Sequence, residues 1–158
     1  MQVEAMTTRT PFVDPAMRSK FIWLDGEFVP FEQATVHFLT PTLHYGTGLF
    51  EGIRCYDTPN GPAVFRLREH LERLLDSVRI AGLKEFPYTH DELATAIRQT
   101  ILINQFSSCY IRPLVYMVGP LGLSLDQWRP SVGIAVWDWG PFLGKESRDR
   151  GVRLMVSS

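Results

Sequence analysis

The sequence of 158 residues has few cysteines and lysines, little net charge and none of several common catalytic or metal-binding motifs. It has two cysteines and three lysines, and it contains no Cys-x-x-Cys, His-Glu-x-x-His or Gly-x-Ser-x-Gly motif, which argues against metal and serine chemistry. Its 16 basic and 17 acidic residues leave a net charge of −1, which argues against nucleic acid or an anionic membrane as partner. No apolar run has the length of a membrane span, and the first residues do not form a signal peptide. We therefore expect a soluble cytoplasmic protein with two buried free thiols, Cys55 and Cys109.

The chain divides into three parts by composition. Residues 1–20 contain two prolines and no hydrophobic period, so they predict a flexible arm. Residues 21–150 are long enough to form one domain with its own core. Residues 151–158 predict the start of a further strand that is cut short, and the sequence is interpreted as a fragment of a longer protein.

Turn residues between β-prone segments predict two hairpins. The first turns at Asp25-Gly26 and the second turns over residues 57–62, which are rich in proline, glycine and asparagine. Residues 35–39 are also β-prone, and the proline that follows them predicts a short helical piece or turn.

Two amphipathic helices are predicted in the middle of the chain. Leucines at helical spacing begin at Leu67, and Gly82 stands where a left-handed cap would end the helix. A capping box predicts that the second helix begins at Thr89, and it should end near Gln105. Two apolar strands follow, over residues 109–118 and 132–139. This order lacks strict βαβ alternation and predicts an α+β fold, with an antiparallel-rich sheet and two helices packed on it.

Residues 43–56, which read LHYGTGLFEGIRCY, are the most unusual segment. Glycine weakens a strand unless a bulge or a closely approaching group requires the missing side chain, and a flat ligand is one such group. A dinucleotide loop is a weak alternative, because Gly52 comes one residue late and a strand pattern follows it. A bulged core strand that binds no ligand is a second alternative.

Four separated motifs give the chain a family resemblance: HYG at residues 44–46, FEGIRCY at 50–56, RLREHLERL at 66–74 and YIRP at 110–113. Together they resemble the branched-chain amino acid aminotransferases, pyridoxal-phosphate enzymes of fold type IV, over nearly the whole chain after the first twenty residues. The resemblance implies the small N-terminal domain of such an enzyme. It also implies pyridoxal 5'-phosphate as cofactor, and transamination of leucine, isoleucine and valine with 2-oxoglutarate by the complete enzyme.

The resemblance also implies roles for individual residues. Arg73 would bind the cofactor phosphate, although taken alone it could be a solvated helix charge. Tyr110 would hold the substrate α-carboxylate and Arg112 the distal carboxylate of glutamate, while a structural ion pair is the plain alternative for Arg112. The other predicted substrate residues are Phe50, Gly52, Arg54 and Trp139, together with Tyr45, Leu123 and Leu125, which would reach into the neighbouring subunit's site of a homodimer.

The resemblance leaves two gaps. Lys20, Lys84 and Lys145 do not occur in the context of the family's cofactor-binding lysine, and Lys145 is expected in a charged loop, so we expect that lysine beyond residue 158. Phe142 stands where bacterial relatives often have a tyrosine that helps to hold glutamate. A D-amino acid aminotransferase or aminodeoxychorismate lyase of the same fold remains an alternative, as does a non-catalytic fragment.

Overall fold

A single antiparallel sheet carries the fold. The computed structural model describes residues 19–122, 125–140 and 144–156. Within them the sheet has seven strands, in the order β2-β1-β7-β6-β4-β5, and β3 pairs with β6 outside this path. The strands are β1 (Phe21–Leu24), β2 (Glu27–Pro30), β3 (Leu49–Phe50), β4 (Ile53–Tyr56), β5 (Ala63–Val64), β6 (Cys109–Val118) and β7 (Arg129–Trp137).

The first hairpin, β1 and β2, turns at Asp25 and Gly26 as predicted. Both residues have positive φ, 47° and 100°, and two left-handed residues give a turn whose twist matches that of the strands. The Asp25 carboxylate also accepts hydrogen bonds from the Ser131 hydroxyl and from the backbone N–H of Val132, the latter at 2.7 Å. The turn is therefore attached to β7 as well as closing the hairpin.

The long strands β6 and β7 form the centre of the sheet, paired from Tyr110 opposite Trp137 to Val118 opposite Arg129. Strands β3 and β4 both pair with β6. Between them the chain is interrupted at Glu51 and Gly52, although the backbone N–H of Glu51 still donates to the carbonyl of Pro113 at 3.1 Å. The unusual glycine-rich segment therefore lies directly against the central strands.

Four α-helices lie in the described residues: α1 (Pro41–Tyr45), α2 (Leu67–Ile80), α3 (His90–Asn104) and α4 (Gly144–Arg150). The predicted signals for α2 and α3 are confirmed, because Gly82 has a φ of 69° and Thr89 forms a complete capping box with Glu92. Each fully buried leucine or isoleucine of these helices contributes about 1.5–3 kcal/mol. None of the helices in the described part of the chain is long and apolar enough to cross a membrane.

Side chains alternate between the two faces of the sheet, and these faces differ in their contacts. The covered face packs against α2 and α3, and its strand residues include Ile53, Ile111 and Val136, all of them fully buried. The alternate residues form the open face, which is turned away from α2 and α3. The open face includes Arg54, Tyr110, Arg112, Leu114 and Trp137.

Two β-prone segments form no strand in the described residues. Residues 35–39 and residues 151–156 have no strand partner there, and a strand needs one for its backbone hydrogen bonds, so the strand expected at residues 151–158 stays a prediction. The charged loop expected around Lys145 is the helix α4, in which Glu146 and Arg150 form an ion pair of 2.7 Å at helical spacing. The last long strand also begins earlier than predicted and ends at Trp137.

Candidate functional site

An aromatic cluster, Tyr110, Trp137 and Trp139, lies on the open face of the sheet. The Tyr110 ring centroid is 4.9 Å from that of Trp137 and 4.8 Å from that of Trp139, the latter in an edge-to-face arrangement. Arg54 pairs with Tyr110 across the two strands and donates from Nη1 to the carbonyl of Trp139 at 3.1 Å. Arg54 thereby attaches the segment after β7 to the face of the sheet.

Arg112 extends the same surface toward β3. Its guanidinium carbon lies 4.2 Å from the ring centroid of Phe50, a distance at which a cation is attracted to an aromatic ring, and its Nη2 donates to the Tyr110 hydroxyl at 2.9 Å. No carboxylate in the described part of the chain pairs with Arg112, and its Nε is buried without a hydrogen-bond partner there. The structural ion pair that would explain Arg112 without a ligand is therefore not found among these residues.

Gly52 is required by the position of Tyr110. A Cβ atom at residue 52 would lie 2.4 Å from the Tyr110 hydroxyl oxygen, closer than real side chains come. The absent side chain therefore leaves space for the Tyr110 hydroxyl, which accepts the hydrogen bond from Arg112. The structure thus brings together Phe50, Gly52, Arg54, Tyr110, Arg112 and Trp139, and their part in substrate binding stays a prediction.

Arg73 lies on α2 rather than on the open face, and Glu51 holds it there. Its Nε and Nη2 donate to the two carboxylate oxygens of Glu51 at 2.5 Å and 2.6 Å, while Nδ1 of His70 lies 2.9 Å from Oε2 of the same carboxylate. The described contacts do not join Arg73 to Phe50 or Arg112 directly. They join it to Glu51, the residue that follows Phe50 in the chain.

The Glu51 carboxylate is stabilised in its ionised form. Burial alone would raise the pKa of Glu51, but the hydrogen bonds and charges of Arg73 and His70 together outweigh it and hold that pKa below its ordinary value. The carboxylate side chain is 5% exposed, whereas that of Arg73 is 67% exposed. The pair therefore combines a buried anion with a cation that solvent or a ligand can reach.

Tyr45, which is predicted to contact a neighbouring subunit, packs on Trp128 rather than on this aromatic cluster. Tyr45 ends α1, is partly exposed, and stacks on Trp128 with ring centroids 5.4 Å apart. Leu125 begins a 3-10 turn, Leu125–Gln127. Leu123 and Phe142 lie outside the described residues, so the predictions made for them are not addressed by the structure.

Two participants were missed by reasoning from the sequence. Glu51 is predicted only as part of the motif at residues 50–56. Its position between two predicted site residues was a usable signal, because a buried carboxylate needs hydrogen-bond partners. Trp137 was not selected, although it lies two residues before Trp139. Its indole N–H is buried without a hydrogen-bond partner in the described part of the chain.

Comparison with known proteins assigns the class. The sequence profile of the family described as Amino-transferase class IV matches residues 48–147, a segment that includes the cluster on the open face and the Glu51 and Arg73 pair. The chain belongs to this family. The predicted fold is confirmed as the α+β N-terminal domain of fold type IV branched-chain aminotransferases.

Within the family, the chain is similar to branched-chain amino acid aminotransferases, as its motifs indicated. The branched-chain-amino-acid aminotransferase of Pseudomonas aeruginosa is 44% identical over 144 residues, which are 90% of this chain and 47% of that protein. The crystal structure of the Escherichia coli enzyme matches with a TM-score of 0.77 and 44% identity, over 82% of this chain and 43% of that one. The structure of the Thermobaculum terrenum enzyme in its PLP form matches with a TM-score of 0.71 and 27% identity. The match covers 80% of this chain and 42% of that one. The chain thus spans about half the length of the relatives it matches.

Proposed function

We propose that this chain is the N-terminal part of a branched-chain amino acid aminotransferase. The complete protein would use pyridoxal 5'-phosphate to transfer the amino group of leucine, isoleucine or valine to 2-oxoglutarate. The observation that carries the proposal is the contact of the Arg112 cation with the Phe50 ring and the Tyr110 hydroxyl, in a chain of this family. The relatives of similar sequence bear the same activity in their names.

The residues of this chain fit a phosphorylated cofactor and acidic substrates. Arg73 is charged, exposed and held by only two of its three nitrogen atoms, so the rest of its guanidinium can bind a phosphate. Arg112 has no carboxylate partner among the described residues and can bind a substrate carboxylate. When bound, pyridoxal phosphate supplies an electron sink for the carbon that carries the amino group.

The remaining site residues orient the substrate in this proposal. Tyr110 places a hydroxyl beside Arg112, so the two can hold carboxylate oxygens together. Phe50 and Trp139 provide apolar walls, which favour the aliphatic side chains of branched-chain amino acids. Gly52 and Arg54 keep Tyr110 and Trp139 in place. No residue of this chain is assigned the covalent bond to the cofactor, and we place the reactive lysine in the part of the protein outside these 158 residues.

Assembly as a homodimer with shared sites is part of the proposal. Several exposed apolar side chains lie on α1, on the segment before it and on the loop after β6, where a second copy could bury them. They are Val36, Phe38, Leu39, Leu43, Tyr45 and Leu121. Light scattering of the full-length protein should give the mass of two chains, and the mass of one would contradict it. A cytoplasmic location is also proposed, since both cysteines are free and buried.

The spectrum of the bound cofactor tests the proposed reaction. In the full-length protein, L-leucine should change the absorbance of bound pyridoxal phosphate, and 2-oxoglutarate should restore it. D-Alanine should leave the spectrum unchanged, which separates this activity from the related D-amino acid enzymes. A spectrum that does not respond to any branched-chain L-amino acid would contradict the proposal.

The role of Arg112 can be separated from a general effect of charge. Arg112→Gln should lower kcat/KM for 2-oxoglutarate by about 10- to 100-fold, the effect of losing a charge-assisted hydrogen bond, and should lower kcat/KM for leucine less. Arg98→Gln, which removes the same charge from the exposed side of α3, should change neither value. Equal losses for both substrates would argue that Arg112 only maintains the fold.

A further inference from the structure

Glu51 is a buried carboxylate to which the proposed function gives no task. Its side chain is 5% exposed, and both of its oxygens accept hydrogen bonds from Arg73 while Oε2 also faces His70. Burying a carboxylate is unfavourable unless charge-assisted hydrogen bonds offset the lost hydration. The three N–H groups around Glu51 provide that compensation, so the residue is fixed in position in its ionised form.

The way in which Glu51 holds Arg73 determines which part of the guanidinium remains available. The guanidinium is a rigid plane with five N–H donors. Glu51 occupies the side-on edge, formed by Nε and Nη2, at 2.5 Å and 2.6 Å. Among the described residues, the hydrogen bonds that Arg73 donates from its side chain come from Nε and Nη2 and go to Glu51. The end-on edge, formed by Nη1 and Nη2, is therefore left for a ligand, and its direction is fixed by Glu51.

Glu51 also connects α2 with the open face of the sheet. It lies between Phe50 and Gly52, and its backbone N–H donates to the carbonyl of Pro113, the residue after Arg112. The Glu51 side chain, by contrast, binds Arg73 and His70 of α2. One residue therefore sets the position of Arg73 relative to the segment that carries the predicted substrate residues.

We propose that Glu51 is a positioning residue for the cofactor phosphate. It holds the side-on edge of Arg73 so that the end-on edge meets the phosphate, and His70 steadies the Glu51 carboxylate. Glu51 itself touches neither cofactor nor substrate. This inference rests on the proposed function, because it takes Arg73 as the phosphate ligand.

The test compares two probes that differ only in the phosphate. Full-length apoprotein is titrated with pyridoxal 5'-phosphate and with pyridoxal, with binding followed by absorbance. Glu51→Gln and Arg73→Gln should each weaken binding of pyridoxal phosphate about tenfold or more, the effect of a lost charge-assisted hydrogen bond, and leave binding of pyridoxal within about twofold. The double variant should bind pyridoxal phosphate no more weakly than Arg73→Gln alone, because Glu51 acts only through Arg73.

Glu72→Gln is the matched control. Glu72 precedes Arg73 on α2, is half exposed, and pairs with Arg68 at 2.8 Å, so the same charge is removed without touching the Glu51 contacts. This variant should bind both probes like the unmodified protein. If Glu51→Gln does not fold, Glu51→Asp replaces it, since it keeps the charge but shortens the reach by one methylene. Glu51→Asp should lose part of the preference for pyridoxal phosphate over pyridoxal.

The possible outcomes separate this inference from the proposed function. If Arg73→Gln selectively weakens pyridoxal phosphate binding but the Glu51 variants keep the full preference, the inference is overturned and the phosphate site stands. If Arg73→Gln leaves the preference unchanged, the phosphate site itself fails and the inference fails with it. If Glu51→Gln weakens both probes equally, or adds to the loss in the double variant, Glu51 has a general structural role instead.

Discussion

The two faces of the sheet are made from alternate residues of the same strands, yet their side chains differ in burial and in polarity. On β6, the covered face presents Ile111 and Val115, which are completely buried against the core. One residue further along in each case, the open face presents Arg112 and Tyr116, and Leu114 on that face is 36% exposed. The covered face has apolar side chains that α2 and α3 enclose, and the open face has a cation and aromatic rings.

The difference shows which residues the fold alone explains. Apolar burial accounts for the strand side chains of the covered face, such as Ile53, Ile111 and Val136. It does not account for the open face, where Arg112 and Trp137 each have a buried N–H without a partner in the described part of the chain. Unsatisfied buried donors are unfavourable, so they indicate a surface arranged for a ligand or another segment. Alternate residues of one strand thus differ in role: those on the covered face stabilise the fold, and those on the open face present polar groups to a ligand or another segment.

The largest expected effect is on the reactivity of the thiols of the covered face. Cys55 and Cys109 face each other across β4 and β6, and burial raises the pKa of Cys109 to about 12. Since only the thiolate reacts, native Cys109 should be alkylated by iodoacetamide at pH 8 about a thousandfold more slowly than in the unfolded chain. Peptide mass spectrometry resolves each cysteine. Rapid labelling of native Cys109 would show that the covered face opens to solvent.

A pair of alanine substitutions on β6 measures the contrast between the faces directly. Ile111→Ala removes a fully buried side chain and should lower the free energy of unfolding by about 2–5 kcal/mol. Leu114→Ala, on the open face three residues later, should lower it by less than about 1 kcal/mol. Urea unfolding followed by tryptophan fluorescence gives both values. Equal losses would mean that the open face is packed as tightly as the core.

Substitution of glycines tests whether the open face is shaped for chemistry. Gly52→Ala would put a Cβ atom 2.4 Å from the Tyr110 hydroxyl and so displace the hydroxyl that accepts from Arg112. We expect a loss of about 10- to 100-fold in kcat/KM of the full-length protein, because small displacements of positioning groups are costly to catalysis.

Gly133 of β7 provides the control for this substitution. A Cβ atom there would meet only Leu24, at an ordinary contact distance of 3.6 Å. Gly133→Ala should therefore retain nearly full activity, although it changes the same face. If both variants behave alike, crowding of the sheet rather than displacement of Tyr110 explains the result.

Much of the fold could be predicted because its signals are local. Asp25 and Gly26 specify a turn of defined twist, and the capping box at Thr89 fixes where α3 begins. The convergence of Phe50, Tyr110 and Arg112 was expected from the family resemblance. The period of two along a strand is consistent with it, since Tyr110 and Arg112 are two residues apart.

The missed features depend on contacts between distant parts of the chain. The β-prone residues 35–39 have no pairing partner among the described residues, and local composition cannot reveal this. The bond between Glu51 and Arg73 spans 22 residues, so no short-range pattern records it. Lys145 lies in α4, a charged segment in which Glu146 and Arg150 form an ion pair at helical spacing, whereas its composition alone suggests a loop.

The smallest expected effect concerns Glu51, whose buried carboxylate binds Arg73 and His70 of α2. Its pKa is held below the ordinary value of about 4.3, so the unfolded chain takes up this proton first as the pH falls. The stabilisation is therefore complete above that value and is lost as the pH falls through the lower pKa of the folded state. Because its partner Arg73 is exposed and screened, we expect a loss on the order of 1 kcal/mol between pH 6 and pH 3. Urea unfolding of Glu51→Gln across this range should show a flatter pH dependence than Glu72→Gln, and parallel curves would mean that the buried carboxylate gains nothing from its ionic partners.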